Sequence, residues 1–412
     1  MAQLAGKIGQ TYPLDIQTHR DGDTGAVARR FVHRQPSQEQ LFYYCSPAMS
    51  DDGRYLPCWS NVSGHWQIHA IDRQEKVSIQ LSLMDVFPGA VVEFDSDSPC
   101  YSREYHRVFY HDRRRVFWTD LRTLETGWML EIPPGFRPLA LSARGRYVVM
   151  SYTEIMPLPR LPEGRAFISR PQLVYHPRTI IVSIDIETGQ ADYSWGDWSY
   201  LSHVEMCPFD DDLIMFADQS CGRWGQEVHV VRRSLCDDKH AHRVLAGGYE
   251  FYRGRTLDYI GHSFFTQDGF IAGQYSEYGG VDDRNSFTDG SKFNLVVRPD
   301  GTLKRKAKFP GSKKPTHVHC QQSEGLWVGD QWIRPDGTPE PGWTCLMRNR
   351  FQTQEMDIWP LLRTGHVWER PWHPHPWINP AEDEVALAYN TGRNDNHMAV
   401  IEIPPSLRQP PR

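Results

Sequence analysis

Short runs rich in Val, Ile, Tyr, Phe and Trp alternate with polar segments along nearly the whole chain, and helical periodicity is scarce. Asp-Gly, Pro-Asp-Gly and Asn-containing turns separate the runs, so the pattern predicts strands joined by hairpins in an all-β chain. The turn signals recur in a shared frame. Ser46-Pro47-Ala48-Met49-Ser50-Asp51-Asp52-Gly53-Arg54-Tyr55-Leu56 has counterparts in Ala140-Leu141-Ser142-Ala143-Arg144-Gly145-Arg146-Tyr147-Val148 and in His262-Ser263-Phe264-Phe265-Thr266-Gln267-Asp268-Gly269-Phe270-Ile271. Weaker copies begin near Tyr105, His203, His317 and His373. Seven starts, most of them spaced by roughly 45 to 65 residues, match the period of four-stranded propeller blades. The expectation is a single domain over residues 1–412, folded as a seven-bladed β-propeller. Early strands would pair with 398–403 to close the ring, which leaves no free sheet edge. The Pro-rich stretch 157–171 reads as an excursion between blades and 404–412 as a frayed tail.

Composition then removes whole classes. No apolar run approaches the roughly 20 residues of a bilayer span, which excludes a membrane protein, and a hydrophobic content of 39% excludes disorder. A formal net charge of −6 argues against a nucleic-acid surface, and the basic runs Arg113-Arg114-Arg115 and 304–308 read as solvated turns. The first twelve residues carry no apolar core of the kind a secretory signal needs, so the expected compartment is the cytoplasm. Eight cysteines without a CxxC pair fit reduced, packing thiols.

The histidines change the picture. Because blades repeat, equivalent positions lie at one height around the axis, and four of the seven starts carry a histidine: His203, His262, His317 and His373. The sharpest local feature is His373-Pro374-His375-Pro376. In an extended segment residues i and i+2 project to one side, and the prolines restrict the backbone, so two parallel imidazoles are expected. With His262 from another blade they make three nitrogen ligands suited to manganese, iron or zinc, leaving positions open for substrate oxygens. The competing reading is a pair of rim histidines packed among Trp368, Trp372 and Trp377.

Several separated stretches resemble the oligogalacturonate lyases of polysaccharide lyase family 22, which are seven-bladed propellers. They are Gly9-Gln10-Thr11-Tyr12-Pro13 with Asp23-Thr24-Gly25, then Ser202-His203 with Pro208 and Asp210-Asp211-Asp212-Leu213-Ile214-Met215-Phe216. Gly261-His262-Ser263-Phe264-Phe265, Trp327-Val328-Gly329-Asp330 and the His-Pro-His-Pro motif followed by Asn379-Pro380 continue the likeness. The resemblance implies Mn²⁺, or another divalent cation, held by His262, His373 and His375, with His203 as general base. It also implies an arginine near the uronate, matched by Arg178, and a glutamine ligand three residues before the first motif histidine. This chain has Arg370 there. A guanidinium does not coordinate metals and its charge opposes a cation at close range. Three arrangements follow: a three-histidine site completed by water, a replacement ligand such as Glu369, or no metal and Arg370 gripping the substrate carboxylate directly.

The activity the resemblance implies is β-elimination on a short acidic oligosaccharide. His203 would take the proton from carbon 5, the cation would neutralise the uronate carboxylate, and Arg178 would orient a carboxylate. Two alternatives stand beside it. One is a lyase for another uronate-containing glycan, suggested by the Trp-rich motif surroundings and an apparent lengthening around 279–293. The other is a propeller that binds acidic sugars without cleaving them, favoured by Arg370.

Overall fold

The computed structural model describes residues 6–84, 99–112, 114–155, 177–218, 227–235, 242–245, 249–250, 255–256, 259–276, 291–310, 315, 317–332, 342–364, 373–390 and 395–408. Arg370, Glu369, Trp368 and Trp372, the excursion beyond residue 155 and most of the lengthening at 279–293 lie outside them. The chain is all-β, and the helical elements among the described residues are a single turn at Arg233–Leu235 and another at Pro405–Arg408.

Each run of alternating residues becomes one strand of an antiparallel meander, since a tight turn can return the chain only to a neighbouring antiparallel position. Five separate sheets of four strands follow this rule, with first strands Cys100–Ser102, Phe136–Arg144, Leu201–Met206, Tyr259–Phe265 and Val318–Cys320. A sixth sheet has nine strands. In it the meander from Glu39–Leu41 to Val77–Gln80 is joined to the one formed by Trp377–Ile378, Glu384–Asn390, Asn396–Glu402 and Val27–His33. The joint is the strand Thr11–Arg20, which pairs with Val27–His33 on one side and Val77–Gln80 on the other. The basic run 304–308, expected as a turn, supplies a fourth strand, Arg305–Lys308. Its charges fit there because Arg305 and Lys306 cover Phe270 and Phe293 with their cations.

The core lies between consecutive sheets. Met215, Val228 and Val230 pack on Ile260, Phe265, Ile271 and Leu295, and Phe264, Ala272 and Val296 pack on Val318, Trp327 and Cys345. Burying a side chain of this size stabilises by about 1.5–3 kcal/mol. Six cysteines among the described residues are free, five of them buried, in agreement with a packing role.

At the seam Val27–His33 runs antiparallel to Asn396–Glu402, with Ala28 opposite Ile401 and Phe31 opposite Met398. A wholly buried carboxylate fastens it: Glu39 meets His33 Nδ1 at 2.8 Å and His397 Nδ1 at 2.5 Å. Burial alone would push the Glu39 carboxyl up, but these two hydrogen bonds and the histidine charges outweigh it and hold the group down at about 2. The segment expected to fray forms the helical turn Pro405–Arg408, because Arg348 binds the Leu407 carbonyl at 2.8 Å and Arg408 binds that of Ile403 at 2.7 Å.

The first strands carry an irregularity with consequences. Between Ser202 and Glu205, and again between Gly261 and Phe264, the first strand has one residue more than its partner. The bulges place His203 at φ 49° and His262 at φ 52°, left-handed values that ordinarily cost a non-glycine residue about 1–2 kcal/mol. Gly273 stands across from the second bulge, where an added Cβ would meet Ser263 Cα and the Gly261 carbonyl, each at 3.2 Å.

Two predictions follow from these features. Glu39→Gln should destabilise the protein by about 3 kcal/mol near neutral pH, as expected for a broken buried ion pair. A depressed carboxyl stabilises fully above its unfolded value of 4.5 and loses that contribution as pH falls toward 2, so the gap between wild type and variant in urea unfolding should narrow below about pH 4.5. A gap independent of pH would refute this role. His262→Gly should be more stable than His262→Ala by about 1 kcal/mol, because only glycine adopts the left-handed region freely. Thermal melts of the two variants without added metal decide it, and a lower melting point for the glycine variant would remove the strain reading.

Candidate functional site

The bulges turn His203 and His262 out of the ladder toward the same place that receives the His-Pro-His-Pro segment. His203 is the third residue of Leu201–Met206, His262 the fourth of Tyr259–Phe265, and His317 immediately precedes Val318–Cys320. Their rings form a chain of contacts. The centroids of His203 and His262 are 5.9 Å apart, those of His262 and His317 4.5 Å, and those of His317 and His375 4.5 Å. His373 lies 5.2 Å from His317 and 5.7 Å from His375.

The motif pair is parallel, with 10° between the rings. The backbone that makes it so is not the expected extended one. His375 has φ 44°, and residues 373–376 precede the strand Trp377–Ile378 without joining it. A left-handed residue before proline is doubly restricted, and strain of this kind concentrates at functional sites. Gln40 holds the segment from the first meander: its amide nitrogen donates to the His373 carbonyl at 2.7 Å and lies 3.4 Å from His375 Nδ1. Asn396 donates to Gln40 Oε1 at 3.2 Å, which fixes the orientation of that amide.

Two tyrosines occupy the middle of the cluster. Tyr43 stacks on His203 with 5.5 Å between centroids and 12° between planes, and its hydroxyl is 3.1 Å from His203 Nε2. The same ring meets His262, His317 and His375 edge-on. Tyr44 is buried and donates to the Ser263 carbonyl at 3.0 Å, so it ties the second bulge to the first meander. Below His203 on the same strand, Glu205 accepts the Phe265 amide at 2.8 Å and lies 3.8 Å from Arg144. Complete burial pushes its carboxyl up to about 7 against the opposing charge of Arg144. This contact links the strands that carry His203 and His262.

One group among the described residues could hold a metal: His317, Asp330 and His373, all buried, each offering a ligand atom within 4.8 Å of the others. An imidazole-rich set with one carboxylate suits a divalent transition metal. Both Asp330 oxygens serve His317, Oδ1 accepting its backbone N–H at 2.9 Å and Oδ2 meeting Nδ1 at 2.9 Å.

The structure thus gathers His203, His262, His373 and His375, and adds Tyr43, His317 and Asp330, which the sequence did not assign to the site. Signals for the last two were present, since His317 is one of the blade-start histidines and Asp330 ends a conspicuous Trp-Val-Gly-Asp run. Hairpin register then brings them together, with Val318 opposite Gly329. Arg178 is not joined to this cluster by any contact among the described residues. It is exposed at the start of the third strand of its sheet, where its charge acts on the Tyr152 phenol. Arg370 lies outside the described residues.

A cleft of about 850 Å³ opens elsewhere, lined by Arg29, Arg54, Arg73, Arg103, Asp51 and Glu384 among others, and contains none of these histidines. Its charges satisfy one another, Arg73 and Arg29 on Glu384 and Arg103 on Asp51.

No protein-family profile matches the chain, and no curated protein does. Solved structures do match. An oligogalacturonate lyase in complex with manganese gives a TM-score of 0.74 at 18% identity, over 98% of this chain and 100% of that one. The oligogalacturonate lyase of Vibrio parahaemolyticus gives 0.74 at 17% identity, over 97% and 100%. Dipeptidyl peptidase 4 of Porphyromonas gingivalis gives 0.52 at 8% identity, over 92% of this chain and 56% of that one. That a peptidase also matches shows how little such a likeness says of activity. Over nearly its whole length, the chain has the fold of the oligogalacturonate lyases.

Proposed function

We propose that the protein is a metal-dependent carbon–oxygen lyase that cleaves short uronate-containing oligosaccharides of the oligogalacturonate type by β-elimination. The observation that carries this reading is the convergence of His203, His262 and His375 around Tyr43, with His373 stacked on His375, in a chain whose fold matches a lyase solved with manganese. We read the five separate sheets and the two halves of the nine-stranded sheet as seven blades of one propeller. That arrangement puts the first strand of each on a common axis.

His262, His373 and His375 are assigned the cation, and Arg370 the substrate carboxylate; of the three histidines, His373 is the one that belongs to the compact donor group with His317 and Asp330. A divalent cation there supplies positive charge at the uronate carboxylate and so acidifies the proton on carbon 5. His203 Nε2 takes that proton, the electron pair becomes the carbon 4–carbon 5 double bond, and the bond from carbon 4 to the glycosidic oxygen breaks. The departing oxygen needs a proton. Tyr43, whose hydroxyl is 3.1 Å from His203 Nε2, is placed to give its own and to be recharged by the imidazolium. Arg178, exposed at the entry to its strand, is assigned a second carboxylate further along the oligosaccharide.

The test is the absorbance of the unsaturated product after adding di- or trigalacturonate with Mn²⁺. A metal-dependent rise is expected. His203→Ala and Tyr43→Phe should each reduce it by about 10²–10⁴-fold, the usual contribution of a general base or acid. A rise on glucuronate-containing oligomers but not on galacturonate would assign a different glycan to the same site. Binding of acidic oligomers without any rise would replace the lyase by a sugar-binding propeller, the reading that Arg370 favours.

A further inference from the structure

The strand Ala191–Trp198 ends at the rim from which the strand carrying His203 begins. Between them the chain crosses to the next meander through Ser199, whose hydroxyl is tied to Asp218, the register partner of Leu201. Trp198 therefore lies five residues from His203, within about 18 Å of it along even a fully extended backbone. Its side chain is 66% exposed, more than any other large hydrophobic side chain among the described residues. Directly opposite in the ladder stands Arg178, also exposed. Residues so opposed point to one face of the sheet, with Cβ atoms about 4.5–5.5 Å apart. The charge of Arg178 is felt by the Tyr152 phenol on the neighbouring strand, where Tyr152 faces Ile180, the next residue on the Arg178 side. Asp197 alternates to the other face, and its carboxylate accepts the Trp198 N–H at 2.7 Å.

Scattered exposed apolar residues are ordinary. An exposed indole opposite an exposed guanidinium, neither engaged by a side-chain hydrogen bond, ion pair or ring contact among the described residues, is a pair with matched chemistry to offer. We infer that Trp198 and Arg178 form one subsite for a uronate unit of the substrate, the indole covering the ring and the guanidinium taking the carboxylate. This assignment rests on the substrate class proposed above and adds Trp198 to it. A uronate presents both features side by side: a pyranose ring with an apolar C–H face, and a carboxylate one bond from that ring. An indole face covers the first, and a planar guanidinium binds the second through two parallel hydrogen bonds. A neutral sugar would engage only the indole and a small anion only the guanidinium, so the pair favours a uronate over either. The subsite selects which sugar unit is held beside the histidines and has no part in the proton transfer.

The experiment uses the full chain carrying His203→Ala, which should bind substrate without cleaving it, and measures trigalacturonate binding by calorimetry with Mn²⁺ present. Adding Trp198→Ala should weaken binding about tenfold at every salt concentration, since stacking is not screened. Trp198→Phe keeps an aromatic face and should recover most of that loss. Arg178→Gln should weaken binding by a similar factor at low salt and flatten its salt dependence. Unchanged affinity in Trp198→Ala, with trigalacturonate still bound by the parent, would overturn the subsite and leave the lyase. Weakened binding in Trp198→Ala together with no cleavage by the wild type would keep the subsite and overturn the lyase. Failure of both the parent and the wild type to bind trigalacturonate would overturn both.

Discussion

The seam between the two ends of the chain is the constraint on which the histidine cluster depends. Val27–His33 and Asn396–Glu402 pair across it, and buried Glu39 clamps it by holding a histidine from each strand. The next residue, Gln40, holds the His373 carbonyl, and Asn396 orients Gln40. Seam and site are therefore one hydrogen-bonded network. A sheet ladder alone fixes strands to within a register; placing two imidazoles requires the side-chain bonds that follow from closure.

Stability is spent at the point where the side chains must converge. A regular first strand would direct alternate residues into the spaces between sheets, where His203 and His262 would have to be buried among Phe and Leu. The bulges break the alternation and leave both residues left-handed, and His375 reaches the same state by a proline-flanked turn. Strain of about 1–3 kcal/mol at each position persists because the surrounding sheets over-determine it. Repetition of one bulge in two successive meanders marks it as a device of the fold, since an accident of packing would not recur at equivalent positions.

The all-β class and the recurrence of hairpins were legible because alternation and Asp-Gly turns act locally. So was the gathering of His203, His262, His317 and His373, which followed from equivalent positions in a repeat, with His375 added by the His-Pro-His-Pro motif. Tyr43 was not legible, because it lies in the turn after Glu39–Leu41 and reaches the site through a conformation that no periodicity encodes. Asp330 was hidden for a related reason: its bond to His317 depends on the register of one hairpin. The parallel disposition of the motif imidazoles was foreseen, but from an extended backbone that the structure replaces by a left-handed one. Proline restricts its predecessor to a menu of conformations, and tertiary contacts through Gln40 select from it.

The donor set also bears on how an acidic chain could take the anionic substrate proposed for it. Net charge governs the field far from the molecule, whereas recognition depends on charge within about 8–10 Å, the screening length at physiological salt. Asp330 is the single carboxylate of the compact donor group. A divalent ion bound there would therefore keep a net positive charge. A site built from several carboxylates would bind the same ion and cancel that charge. Imidazole donors, with the carboxylate used to orient a ring, would leave a bound ion electrophilic.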